Sequence, residues 1–161
     1  LTYDSRVGEG TVFYVYLPAS QREHENKDVI PTLPLKGQGR ILVLESDKSV
    51  RRVLKDMLVS LGYEVDIAQD RTELMDLYRN ALQSDIKYMA VIIDLTFQGN
   101  KDESKVVQSL LSLDPEALLI ASSGYSTEQL VSYYKMGFAA FIKKPYGIKD
   151  LSEVLQNLID H

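Results

Sequence analysis

Five short runs after Gly39 constrain the fold more than any other feature of this chain. RILVLE (residues 40–45), YMAVIID (88–94), ALLIAS (117–122) and FAAFIK (138–143) are apolar almost throughout, while YEVDIA (63–68) alternates. Strands with one wet face alternate, whereas strands covered on both faces do not. Between the runs, apolar residues fall at helical spacing. Val50, Val53, Leu54, Met57, Leu58 and Leu61 follow the first run, and Leu74, Leu77 and Tyr78 the second. Val106, Val107, Leu110 and Leu111 follow the third, and Leu151, Val154, Leu155, Leu158 and Ile159 the fifth. The punctuation agrees: Gly62 as a C-cap, Asp70 with Glu73 as a capping box, Pro115 after the third helix. Ser126 with Gln129 caps a fourth helix that Gly137 ends. Strand–helix alternation with short connections predicts an α/β domain over 39–161, a doubly wound five-stranded parallel sheet of order 2-1-3-4-5 with helices on both faces.

Composition removes several kinds of chemistry. The 161 residues are 45% apolar and 25% charged, a globular balance able to bury a core without staples. The absence of cysteine excludes disulfides, zinc–thiolate sites and cysteine nucleophiles. With His24 and His161 as its only histidines, the chain is a poor candidate for a histidine-rich metal site or a catalytic triad. A net charge of −5 argues against a nucleic-acid partner. No apolar run approaches the ~18 residues of a membrane span, so no direct membrane insertion is expected of this fragment. The first residue is Leu1 and no signal-peptide pattern follows, so the sequence reads as a piece of a longer, cytoplasmic protein. The core lacks G-x-G-x-x-G, P-loop and G-x-S-x-G patterns, which leaves an unrelated nucleotide binder or small α/β hydrolase remote.

Two segments precede the regular pattern. In residues 1–20, Gly8 and Gly10 give a turn and Thr11–Leu17 a β-rich run closed by Pro18. One strand cannot fold alone, so this run either pairs or belongs to a disordered tail. Residues 21–38 mix charges with Pro31, Pro34 and Gly37 and read as a linker.

In an open doubly wound sheet, ligands bind beyond the carboxyl ends of the strands. Here the first strand ends in Glu45, Ser46 and Asp47, the third in Asp94, the fourth in Ser122 and Ser123, and the fifth in Lys143, Lys144 and Pro145. The predicted order makes Glu45 and Asp94 neighbours. Two carboxylates 4 Å apart repel by about 4 kcal/mol at an effective dielectric of 20, which a divalent cation would offset. Mg²⁺ suits such oxygen ligands. Lys144 adds a point charge for phosphate, and Ser122 a hydroxyl that can reorient. Singly, each has a bland reading as a cap, a turn or a surface lysine; together at one edge they point to a site.

These residues resemble the receiver domain of two-component response regulators across 39–161. ILVLESDKSVRRVL looks like the first strand and acidic turn, and AVIIDLT like the phosphoacceptor strand. IASSGYS is similar to the fourth-strand switch segment, and GFAAFIKKPY to the fifth strand with its Lys-Pro. The whole is most like receivers at the C-terminus of hybrid sensor histidine kinases. SRVGEGTVFYVYLP resembles the last glycine box and terminal strand of a kinase ATP-binding domain, so residues 1–20 look like its remnant. The kinase body is missing, and no kinase activity is expected of this piece; the parent would be cytoplasmic or membrane-tethered.

The resemblance implies a flavodoxin-like fold and a role in phosphorelay. Asp94 would accept a phosphoryl group from a phosphohistidine, Lys144 would contact its oxygens, and Ser122 would hydrogen-bond it while Phe141 turns inward as an aromatic switch. Glu45, Asp94 and the backbone carbonyl of Thr96 would hold Mg²⁺. The Lys144–Pro145 peptide is expected to be cis. The partner would be a histidine-kinase core or a histidine phosphotransfer protein. Ser46 departs from the pattern, standing where a direct Mg²⁺-binding Asp is usual, so it binds weakly or through water. Gln98, Lys101 and Asp102 are also unusual in the following loop. Two readings stay open: a working phosphoacceptor with weak Mg²⁺ dependence, and a pseudo-receiver that docks partners without phosphate. Tyr63, Tyr78 and Tyr88 are expected to pack at element edges. Tyr133 and Tyr134 form either an interface or a partly buried pair, and the 11–17 strand offers an edge for dimer formation.

Overall fold

The computed structural model describes residues 1–17, 34–84, 86–95, 100–124 and 130–159, with side chains from 104 in the third helix, from 131 in the fourth and to 158 in the fifth. The chain divides into two units, Leu1–Thr32 and Leu33–His161.

In the first unit, β1 (Thr2–Arg6) pairs antiparallel with β2 (Gly10–Tyr14) in the register Tyr3↔Phe13. The strand expected over Thr11–Leu17 therefore stops at Tyr14, and its partner is the preceding segment. Gly8 and Gly10, at φ of 85° and 116°, supply the turn, since φ > 0 costs a side-chain-free residue little. Ser5 and Thr11 hydroxyls meet at 2.8 Å across the pair.

In the second unit, β3 (Arg40–Leu44), β4 (Glu64–Ala68), β5 (Tyr88–Asp94), β6 (Leu119–Ser123) and β7 (Ala140–Lys143) form one sheet. All its pairings are parallel and its order is β4-β3-β5-β6-β7, which is the predicted 2-1-3-4-5. Helices α1 (Lys48–Ser60), α2 (Arg71–Gln83), α3 (Asn100–Leu113), α4 (Leu130–Met136) and α5 (Ile148–Ile159) make the connections. The pleat sends Leu42, Leu44, Val91 and Ile93 into one core with Leu74, Val107 and Leu110. It sends Ile41, Val43, Ile92 and Ile120 into the other with Leu54, Leu58, Leu151 and Leu155. Two-sided burial is why these strands read as unbroken apolar runs.

The α1 stripe is narrower than its sequence suggests. Leu54 and Leu58 are buried, while Val50 and Val53 stay 37% and 53% exposed and line a groove with Met57 and Tyr146. The tyrosines at element edges do pack. Tyr78 stacks on Tyr88 with centroids 5.8 Å apart, and their hydroxyls donate to Asp114 and Asp66. Tyr133 is buried and Tyr134 is 56% exposed, so that pair divides between core and surface.

Residues 34–38 lie along the edge opposite the strand carboxyl ends. The buried Ser152 hydroxyl accepts from the Leu35 amide at 2.8 Å and donates to the Leu35 carbonyl at 3.1 Å. Gln156 Nε2 donates to the Lys36 carbonyl, and the Gly37 amide donates to the Leu61 carbonyl at 2.9 Å. Helix α1 closes on Gly62 at φ 101°, with Gly62 N–H to Val59 O and Tyr63 N–H to Leu58 O, the paired bonds of a Schellman cap. A Cβ on Gly62 would come 2.5 Å from the Gly37 carbonyl. Gly62→Ala combines a disfavoured backbone region with that clash, so it should cost roughly 1–3 kcal/mol. A urea midpoint shifted downward at constant slope is the expected result.

Candidate functional site

Each candidate side chain is placed by a strand end. β3 runs out at Leu44, paired with Ile93, so Glu45 emerges beside Asp94. Asp94 pairs with Ser122 in the next register, and the Lys144 amide donates to the Ser123 carbonyl at 2.8 Å. Sheet order alone thus brings Glu45, Asp94, Ser122 and Lys144 to one edge.

Lys144 Nζ lies 3.1 Å from Glu45 Oε2 and 2.9 Å from Asp94 Oδ1. The carboxylate side chains are 3% and 4% exposed, the lysine 21%, so this contact is largely shielded from water. Burial raises the Glu45 carboxyl above its ordinary range. The Asp47 amide, donating to Oε1 at 2.9 Å, and Lys144 pull it back, and the Asp94 charge pushes it up again. Burial lowers the Lys144 ammonium, but its hydrogen bonds to Asp94 and Glu45 outweigh that and leave it raised. Lys144 is therefore charged at neutral pH and spans the pair.

The acidic turn is fixed from outside. Arg51 Nη1 donates to the carbonyls of Glu45 and Ser46 at 2.9 and 2.6 Å. Asp47 caps α1, accepting from the Ser49 and Val50 amides at 2.7 and 3.0 Å, and these donors hold its carboxyl below the ordinary range. Ser46 is exposed between them. Ser122, 1% exposed, donates its hydroxyl to the Tyr146 hydroxyl at 3.3 Å. Phe141 is half-buried and stacks on Tyr133, centroids 5.8 Å apart and planes 10° apart. The Lys144–Pro145 peptide is cis, as expected. Thr96 lies outside the described residues, as do Gln98, the Ser126–Gln129 cap and the side chains of Lys101 and Asp102.

The sequence pointed to Glu45, Asp94, Ser122 and Lys144, and the structure brings these four together. It did not single out Tyr146 or Arg51. Tyr146 follows the Lys-Pro pair directly and Arg51 lies one helical turn past the Asp47 cap; those positions were the available signals.

No protein-family model matches the chain. It is similar to sensor kinase CckA of Brucella abortus, 24% identical over 170 residues, covering 98% of this chain and 17% of that protein. Response regulator MprA of Mycolicibacterium vanbaalenii is 30% identical over 121 residues, covering 74% of this chain and 50% of that protein. Its homologues are response-regulator receiver domains. A solved relative of the same fold is the receiver domain of sensor histidine kinase PA1611 from Pseudomonas aeruginosa PAO1, described with a magnesium ion coordinated in its active-site cleft. It superposes at TM-score 0.63 with 21% identity, covering 78% of this chain and all of that one. The chain spans about half the length of MprA and a smaller part of CckA.

At this strand edge, removing the ammonium exposes the carboxylate pair to its own repulsion. Lys144→Met should destabilise by roughly 1–3 kcal/mol at pH 7, between the exposed and buried limits for losing one partner of an ion pair. The deficit should shrink toward pH 5. Glu45 is already raised in the folded state, and losing Lys144 raises it further, so protonation favours the folded variant as pH falls. Denaturant unfolding of both proteins at the two pH values checks this.

Proposed function

We propose that this receiver takes part in phosphorelay signalling by accepting a phosphoryl group on Asp94. The observation that carries the reading is the buried Asp94 carboxylate held 2.9 Å from the Lys144 ammonium at a strand end. A phosphoryl acceptor must stay ionised and must tolerate an incoming anion. Lys144 serves both needs, and Glu45 alone would oppose the second. An Asp94 oxygen forms the new P–O bond as the donor's P–N bond breaks, and the leaving imidazole nitrogen keeps that electron pair and takes a proton. The protein's part is positioning and charge neutralisation.

The donor set fits Mg²⁺. That ion is commonly held by one or two carboxylates with waters and phosphate oxygens, and Glu45 and Asp94 already point oxygens at one place. When bound, it would neutralise charge on the phosphoryl oxygens. Among the described residues, no group of three or more His, Cys, Asp or Glu is arranged to hold a metal. The set is thus two carboxylates, with Ser46 bringing no charge, and affinity for Mg²⁺ is weak. The Thr96 carbonyl would complete it. Phosphorylation adds charge near −2 and favours the packing in which Ser122 and Phe141 turn toward Asp94.

The partner is a histidine-kinase core or a histidine phosphotransfer protein in the cytoplasm. Among the described residues, no helix is long and apolar enough to cross a membrane. Residues 1–20 are the end of a kinase ATP-binding domain and 21–38 a linker to the receiver at 39–161. The open edge of the hairpin suits addition to another sheet, including that of a second copy. A second reading, a pseudo-receiver that docks partners without phosphate, draws on the same Lys144 contact, which already satisfies both carboxylates.

Incubation with acetyl phosphate, with and without Mg²⁺, followed by intact mass, separates the two. A working receiver gains one phosphoryl group in a Mg²⁺-dependent way, and Asp94→Asn gains none. Ser46→Asp should then raise the Mg²⁺ affinity at least 10-fold, the scale on which even outer-shell partners act. No gain in the wild-type protein at any Mg²⁺ concentration would favour the pseudo-receiver.

A further inference from the structure

The Tyr146 hydroxyl makes a polar contact at this edge that the proposed chemistry does not use. Tyr146 is half-buried between Lys144 and α5, and burial raises its phenol above the ordinary value, so it stays neutral near pH 7. Its oxygen accepts the Ser122 proton at 3.3 Å. Ser122 stands in register with Asp94 on the adjacent strand, so the same hydroxyl is also within a side-chain rotation of the phosphoryl position. A hydroxyl carries a single proton to donate. It can serve Tyr146 or a phosphoryl oxygen on Asp94, but not both.

We infer that Tyr146 is a positioning residue for Ser122, holding its hydroxyl in a resting orientation that phosphorylation of Asp94 must displace. This rests on the phosphoacceptor reading and adds a competitor to it. The bond is long and neutral, so its loss shifts the balance modestly. A typical net hydrogen-bond contribution corresponds to about a 2- to 10-fold change in the equilibrium between the two orientations. Tyr146 also lines the groove of about 290 Å³ with Val50, Val53, Leu54 and Met57.

A double-mutant cycle tests it. Wild type, Tyr146→Phe, Ser122→Ala and the double variant are brought to steady state with acetyl phosphate, and the phosphorylated fraction is read by intact mass. Tyr146→Phe keeps the ring and its packing, and thermal melts of the four proteins check that folding is preserved. The expected result is a 2- to 10-fold higher ratio of phosphorylated to free protein in Tyr146→Phe, with no such gain when Ser122 is already alanine. An unchanged ratio, or a gain that persists without Ser122, overturns the role of Tyr146 while leaving Asp94 as the acceptor. Absence of phosphorylation in wild type overturns both.

Discussion

A lysine ammonium held between two buried carboxylates is the contact on which the working edge of this protein depends. Glu45 and Lys144 are 99 residues apart in the chain and meet at 3.1 Å because their strands end at the same edge of one sheet. Without the cation, two acids shielded from water would face each other, and one would have to take up a proton or turn outward. The sheet order is what makes the arrangement possible. β3 and β5 are neighbours, β7 lies two strands beyond β5, and a lysine side chain is long enough to reach back.

The surroundings stiffen that contact without adding acidic charge to it. Arg51 grips the carbonyls of Glu45 and Ser46, so the turn is held by its backbone and the identity of residue 46 matters little to its shape. Asp47 spends its carboxylate on the first amides of α1. That accounts for how a turn of Glu-Ser-Asp contributes one carboxylate to the site: the second acid is committed to helix capping. A serine at 46 is compatible with the fold and changes the charge available to a cation.

The sheet was legible because burial on both faces leaves an unambiguous mark, a run of apolar residues ended by polar ones. Gly62 and the Asp70–Glu73 pair were legible because each satisfies a local need of a helix end. Glu73 does so by accepting from the Gln69 amide, one residue before the cap. Long-range hydrogen bonds left no such mark. Ser152 sits at a polar position of an amphipathic helix and looks like any surface serine, yet it holds Leu35 from 117 residues away. Tyr146 follows the Lys-Pro pair, and nothing local indicates that its hydroxyl meets Ser122. The pairing of β1 with β2 was missed because Thr2–Arg6 is short and polar, with little of the β-rich composition of its partner.

Helix α5 carries contacts from the working edge of the sheet to the segment that enters it. Tyr146 lies just before its first turn, at the edge that carries the carboxylates. Farther along the helix, Ser152 and Gln156 hold Leu35 and Lys36. A helix of 12 residues is about 18 Å long, and Leu151 and Leu155 fix its inner face in the core. Packed interiors resist gradual deformation, so this packing fixes where the helix presents its polar groups. The hydroxyl bond just before the helix and the Ser152 and Gln156 contacts farther along it therefore bear on the same element.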